Sequence, residues 1–132
     1  MIEVAQTFGT ALDKDEFEVA RKLIAPNCTY VIGDETLNGP EAICNSYEQN
    51  MLEGKRKLDE LIWGQSEVEE IATGEYFVHF TDYLKHKGKS HVHRCKQRLK
   101  VNLQGLITSI EHIDNTVEQK ELDAFYRSVG LS

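Results

Sequence analysis

The stretch EYFVHFTDYLKHKGKSHVHRCKQRLKVNLQGLITSIEHI, residues 75–113, decides the fold. It is rich in β-branched and aromatic residues, and Lys87-Gly88 and Gln104-Gly105 punctuate it into three runs. That pattern predicts consecutive antiparallel strands, part of a meander of three or four that begins beyond the basic stretch Lys55 to Lys57 and ends near Ile113. Side chains of a strand alternate between its two sides. A two-residue loop at Lys87-Gly88 therefore sets Asp82 opposite His93, Phe80 opposite Cys95 and Val78 opposite Gln97. A similar loop at Gln104-Gly105 sets Gln97 opposite His112 and Cys95 opposite Asp114, all on one face.

Outward from the meander, the chain is mostly helical. Ile2, Ala5, Phe8 and Leu12 recur at helical spacing, predicting a helix over residues 2–12. Asp13-x-x-Glu16 has the form of a capping box for a second helix, with Phe17, Ala20, Leu23 and Ile24 as its apolar stripe and Pro26 as its stop. Cys28 to Ile32 reads as a strand with a turn at Gly33-Asp34. Asn38-Gly39-Pro40-Glu41 opens a third helix, buried along Ile43, Tyr47 and Met51 and stopped by Gly54. Residues 116–131 form a last helix, with Thr116-x-x-Gln119 as its capping box and Leu122, Phe125 and Val129 as its stripe. Helices segregated from a run of antiparallel strands define the α+β class, with helices on one face of the sheet.

The 132 residues match one domain, spanning 1–132, large enough to bury about two thirds of the unfolded surface. The formal charge of −7 argues against nucleic acid and anionic membranes as partners. No stretch reaches the roughly 20 apolar residues that span a bilayer. Met1 to Thr10 lacks the basic and apolar regions of a secretory signal. Cys28, Cys44 and Cys95 are odd in number and lack C-x-x-C spacing, which suits free thiols. A cytoplasmic protein is expected.

Four segments carry a family resemblance: Ala11-Leu12-Asp13-Lys14-Asp15, Leu23-Ile24-Ala25-Pro26-Asn27-Cys28, Leu37-Asn38-Gly39-Pro40-Glu41-Ala42-Ile43 and Gln104-Gly105-Leu106-Ile107. In order and spacing they resemble the nuclear transport factor two-like superfamily, which includes ketosteroid isomerase and the SnoaL-like polyketide cyclases. The resemblance covers nearly the whole chain. It implies a cone-shaped fold: a strongly curved antiparallel sheet with helices packed on its concave face. Function does not follow from fold, since one fold hosts many chemistries. Aligned on those segments, the tyrosine donor of ketosteroid isomerase falls at Phe8, its general-base aspartate at Ile32 and its hydrogen-bonding aspartic acid at Gln97. Phenylalanine and isoleucine neither donate nor take a proton, which argues against steroid isomerisation by that mechanism.

The resemblance makes the Asp82–His93 face the concave one and adds Tyr30 and Ile32 to it. An apolar cup of Val78, Phe80, Leu84, Leu99 and Ile110 then carries Tyr30, Asp82, His93, Cys95, Gln97, His112 and Asp114, the mix of a small-molecule pocket. A carboxylate beside an imidazole fixes its tautomer and raises its basicity, so Asp82 with His93 is one acid–base candidate. His112 and Asp114 are the others, because the cyclases place an acidic base near the end of the last strand. Alternatively, these are rim charge pairs and strand-end hydrogen bonds. His93, Cys95, His112 and Asp114 include acceptable zinc ligands but lack the local ligand pairs of a structural site, so no metal is assigned. No organic cofactor is implied.

The opposite face carries Arg94, Lys96, Arg98 and Lys100 beside Phe77, His79 and Tyr83, flanked by Glu67, Glu69 and Glu111. It reads as a homodimer face rather than a single-strand nucleic-acid surface. The resulting expectation is a pocket for a small apolar or aromatic molecule bearing an oxygen group. The protein is then a cofactor-independent isomerase, cyclase or dehydratase, or else a non-catalytic binding or dimerisation module.

Overall fold

The computed structural model describes residues 1–132. Its elements in chain order are α1 (Ile2–Asp13), α2 (Phe17–Lys22), β1 (Ile24–Ile32), β2 (Glu35–Asn38), α3 (Gly39–Lys57), β3 (Glu60–Trp63), β4 (Glu67–Ala72), β5 (Glu75–His86), β6 (Lys89–Val101), β7 (Ile107–Ile113) and α4 (Thr116–Ser128). The sheet runs β2-β1-β7-β6-β5-β3, and β4 also pairs with β5. This is the expected α+β architecture with one refinement: β1 runs parallel to β7, so the sheet is mixed rather than wholly antiparallel.

The long pair β5–β6 has the register that alternation predicts. Asp82 faces His93, Phe80 faces Cys95 and Val78 faces Gln97. Its two-residue loop has positive φ at both Lys87 (50°) and Gly88 (78°), the pattern that matches strand twist. Gln97 faces His112, also as predicted. The connection beyond is longer than the predicted two-residue loop. The register shifts between Lys100 and Val101, β6 ends at Val101, and Asn102 Oδ1 accepts from the amides of Gln104 and Leu106. At the far end β7 stops at Ile113, so Cys95 and Asp114 are not paired.

β3 and β4 cover successive parts of the free edge of β5, with β3 opposite residues 82–85 and β4 opposite 75–79. The break between them is made by Gly64, whose amide donates to Thr81 O at 2.7 Å. A Cβ there would lie 2.9 Å from the Tyr83 ring, so the chain turns where only glycine fits.

Several helix boundaries differ from the sequence reading. Asp13 is the last residue of α1, not the cap of α2; its Oδ2 accepts the Ser66 amide at 2.7 Å. Leu23 and Ile24 leave the helix early, and Ile24 opens β1 as a buried residue. Pro26 is tolerated within β1 because pairing to β7 is irregular between Ile24 and Thr29. Gly54 does not stop α3, which continues to Lys57; a Cβ at Gly54 would meet Leu61 Cδ2 at 2.6 Å, so glycine serves close packing there. Asn115, one residue before the predicted Thr116, caps α4 by accepting the Glu118 amide.

α1 and α3 lie on the concave side and close the core. Phe8, Ile43, Tyr76, Val78, Leu99, Ile107 and Ile110 are completely buried or nearly so, each contributing about 1.5–3 kcal/mol by removal from water. A smaller cluster of Leu58, Leu84, Phe125 and Val129 holds α4 across the wide end of the sheet. No helix is long and apolar enough to cross a membrane.

Candidate functional site

The helices do not fill the concavity. A cavity of ≈ 270 Å³ remains between α1, α3 and the sheet, lined by 17 residues. Phe17, Tyr30, Tyr47, Trp63 and Phe80 contribute five aromatic rings, with Leu12, Ile32 and Met51 completing the apolar wall. The polar groups concentrate at two places.

At one, three side chains form a chain of hydrogen bonds. Tyr47 Oη donates to Gln97 Oε1 at 2.5 Å, and Gln97 Nε2 donates to Tyr30 Oη at 2.8 Å. The Tyr30 and Tyr47 rings stack with centroids 5.2 Å apart. Tyr30 accepts through its oxygen from Gln97, with the Tyr47 hydroxyl beside it. Burial pushes its hydroxyl up to about 12, so it stays a neutral donor near physiological pH.

At the other place is Asp82, which makes no hydrogen bond or ion pair with the protein although its carboxyl is largely withdrawn from water. Burial, reinforced by the charge of Asp13, lifts it from 3.8 to about 7. Trp63 is its cross-strand neighbour on β3 and donates Nε1–H to Asp15 Oδ1 at 2.8 Å. Asp15 adopts φ 57°, an uncommon conformation for a side-chain-bearing residue, and also meets Lys55 Nζ at 3.4 Å.

Of the residues expected at the site, Tyr30, Ile32, Phe80, Asp82, Cys95, Gln97 and His112 line this cavity. Val78 and Ile110 do not, being fully buried in the core beneath it. His93 and Asp114 lie in a second, more polar recess of ≈ 230 Å³, for which Cys95 and His112 form a shared wall with the cavity. Asp82 does not orient His93, although they are register partners. His93 turns toward α4, with Nδ1 3.7 Å from Glu118 Oε2 and no hydrogen bond. Burial lowers the His93 pKa, with Glu118 acting in the opposite direction. Burial likewise pushes the Cys95 thiol up to about 12, with the nearby Asp82 charge adding to it, which favours a packed thiol over a nucleophile. No group of three or more His, Cys, Asp or Glu side chains is arranged to hold a metal ion.

Trp63, Asp13, Asp15 and Phe17 escaped sequence reasoning as cavity residues. The only signal available was a lone tryptophan and an acidic pair bracketing the bend after α1. On the outer face Arg98 pairs with Glu75 at 2.8 Å, His79 with Glu69 at 3.0 Å, and Lys96 lies 4.3 Å over the Phe77 ring.

No family model and no curated sequence matches this chain. Solved structures do. A Xanthomonas campestris protein assigned as a polyketide cyclase has a TM-score of 0.68 at 12% identity, covering 89% of this chain and 92% of that one. TerC, co-crystallised with polyporic acid, has a TM-score of 0.67 at 17% identity, covering 92% and 95%. A Mycobacterium tuberculosis protein in complex with estradiol-17β-hemisuccinate has a TM-score of 0.64 at 17% identity, covering 89% and 95%. At such identities these likenesses speak to the backbone alone, and they show that this chain has the cone-shaped fold of the nuclear transport factor two-like superfamily.

Proposed function

We propose that this protein binds a small aromatic or apolar molecule bearing an oxygen group and moves a proton on it, as a cofactor-independent isomerase, cyclase or dehydratase of the SnoaL-like kind. Asp82 carries the reading: it is a cavity-facing carboxyl, unpartnered in the protein and poised by burial to titrate at about 7. A general acid–base group works best with its pKa near the operating pH. In this reading Asp82 takes or returns the proton, while the Tyr30 hydroxyl, held by Gln97 and Tyr47, donates to the substrate oxygen and stabilises charge developing there. His112 is a second titratable group on the wall; His93 and Asp114, in the adjoining recess, take no direct part.

The cavity volume of ≈ 270 Å³ lies just below the roughly 300–1,000 Å³ of small-molecule sites, so a one- or two-ring ligand fits better than a larger one. Solved proteins of the same fold hold polyporic acid and an estradiol derivative, which supports the small-molecule reading. The three cysteines are all free, in keeping with a cytoplasmic location. The outer face of the sheet, where Ile62 and Tyr83 stand about half exposed beside the basic row, serves as a homodimer surface.

Native mass spectrometry of the purified protein, followed by turnover assays in D2O with the retained molecule or with hydroxylated and keto aromatics, tests the chemistry. Wild-type protein should exchange or convert a substrate at a rate that rises with pH to a plateau above about 7, and Asp82→Asn should lose roughly a hundredfold or more of it. Ligand retention with no exchange in either protein would instead leave a non-catalytic binding module.

A further inference from the structure

The charges around the cavity say more about its ligand than shape alone. Three carboxylates, Asp13, Asp15 and Asp82, line it, and no lysine or arginine does. Lys55 answers Asp15, but Asp13 and Asp82 have no ion-pair partner. Asp13 is held by the Ser66 amide, and its charge adds to burial in raising Asp82. Trp63, the cross-strand neighbour of Asp82, has its N–H tied to Asp15 and presents its ring to the cavity, where Tyr47 and Phe80 add further aromatic surface. A carboxylate withdrawn from water without a partner is costly. A cation set between such carboxylates and aromatic faces relieves that cost and gains from the ring quadrupoles.

Building on the reading of this cavity as a ligand site, we infer that its ligand is an organic cation: an aromatic amine whose ammonium lies between Asp82, Asp13 and the Trp63 ring while its oxygen meets Tyr30 and Gln97. Along the strands Asp82 and the Gln97 row are four residues apart, roughly 13 Å of β-strand before curvature, which accommodates a substituted ring with a short side arm. The ammonium would hold Asp82 in its deprotonated form and bring its pKa down from about 7. The titratable groups whose charge couples to Asp82 are Asp13 from α1, Cys95 from β6 and Tyr126 from α4, and the basic side chain on the cavity wall is His112 from β7. His93, its register partner on β6, turns instead to Glu118.

Isothermal titration at about pH 8 with three probes of common ring and phenol tests this: tyramine, 2-(4-hydroxyphenyl)ethanol and 3-(4-hydroxyphenyl)propanoate, whose tails are cationic, neutral and anionic. Tyramine should bind about tenfold more tightly than the alcohol, and the propanoate at least about tenfold more weakly than it. Asp82→Asn should bring the tyramine-to-alcohol ratio close to one. At about pH 6, titrations in buffers of different ionisation enthalpy should show proton release on tyramine binding, as Asp82 gives up its proton to the ion pair. Equal binding of alcohol and amine, or tightest binding of the propanoate, overturns the cation assignment while leaving a ligand-binding cavity. Failure of all three probes to bind overturns it as well. In that case, a different organic molecule retained in native mass spectra would keep the ligand-site reading, and its absence would remove that too.

Discussion

Asp82 is where chemistry and stability oppose one another. Its folded pKa of about 7 lies above the 3.8 of an unperturbed carboxyl, so the folded chain holds the proton more tightly than the unfolded chain does. The stability this contributes is fully present below about pH 4 and is lost as pH rises through 7, after which the buried charge is a burden. The difference corresponds to an upper bound of roughly 4 kcal/mol between protonation states. Asp82→Asn should therefore be more stable than wild type by roughly 2–4 kcal/mol at pH 8, with the gain shrinking toward pH 5; urea midpoints at the two pH values check it. Gln97 presents the reverse case. Gln97→Leu strands the Tyr47 and Tyr30 hydroxyls in a buried setting and should cost roughly 1–3 kcal/mol, measurable in the same denaturation experiment. Strand alternation was enough to put Asp82, Gln97, Cys95 and Phe80 on one face. It did not reveal the contacts that come from the helices: Tyr47 of α3 reaches Gln97 across 50 residues of sequence, and His93 stands 3.7 Å from Glu118 of α4 rather than against Asp82.

The elements that were easiest to read are those whose local chemistry and long-range pairing agree. β5 and β6 have both a two-residue loop and an unbroken alternation, and their register is as counted from the loop. Lys87 nevertheless occupies a positive-φ position that disfavours a long side chain. Lys87→Asn keeps the backbone amide that donates to Asp59 Oδ2 and suits the turn better, so thermal unfolding should show a gain of about 0.5–1 kcal/mol. Short elements were harder. α2, read from the stripe Phe17, Ala20, Leu23 and Ile24, ends at Lys22 because Ile24 joins β1, while β2, with only four residues, gives no periodic signal. The capping-box pattern at Asp13 does not cap α2, which begins after Glu16 without a side-chain cap; the Asp13 carboxylate accepts instead from Ser66 in the β3–β4 break. At α4 the cap is real but belongs to Asn115, and Asn115→Ala should lower stability by about 1 kcal/mol in a denaturant titration.

At the scale of the molecule, the charge pattern separates two surfaces. The chain carries −7 overall, and the carboxylates of the cavity contribute to it, whereas the outer sheet face gathers Arg94, Lys96, Arg98 and Lys100. Those bases are partly neutralised from within, by Glu75 on Arg98, and partly spread over aromatic surface, with Lys96 above Phe77. A face so compensated repels a second copy far less than its basic row alone suggests, and Ile62 and Tyr83, at 50% and 47% exposure, supply apolar area at its edge. A stable pair needs about 800 Å² from each subunit, roughly a tenth of the 7660 Å² surface. The outer faces of β5 and β6, twelve and thirteen residues long, are the longest strand surfaces on which such a contact would form. Sedimentation velocity of the wild-type protein should accordingly report a dimer. Placing a carboxylate in the middle of that apolar edge, with Tyr83→Glu, should shift it to monomer without altering the far-ultraviolet circular dichroism, since the substituted side chain points away from the core. A monomeric wild type would return the basic row to the solvent. A dimer indifferent to Tyr83→Glu would place the contact elsewhere on the cone.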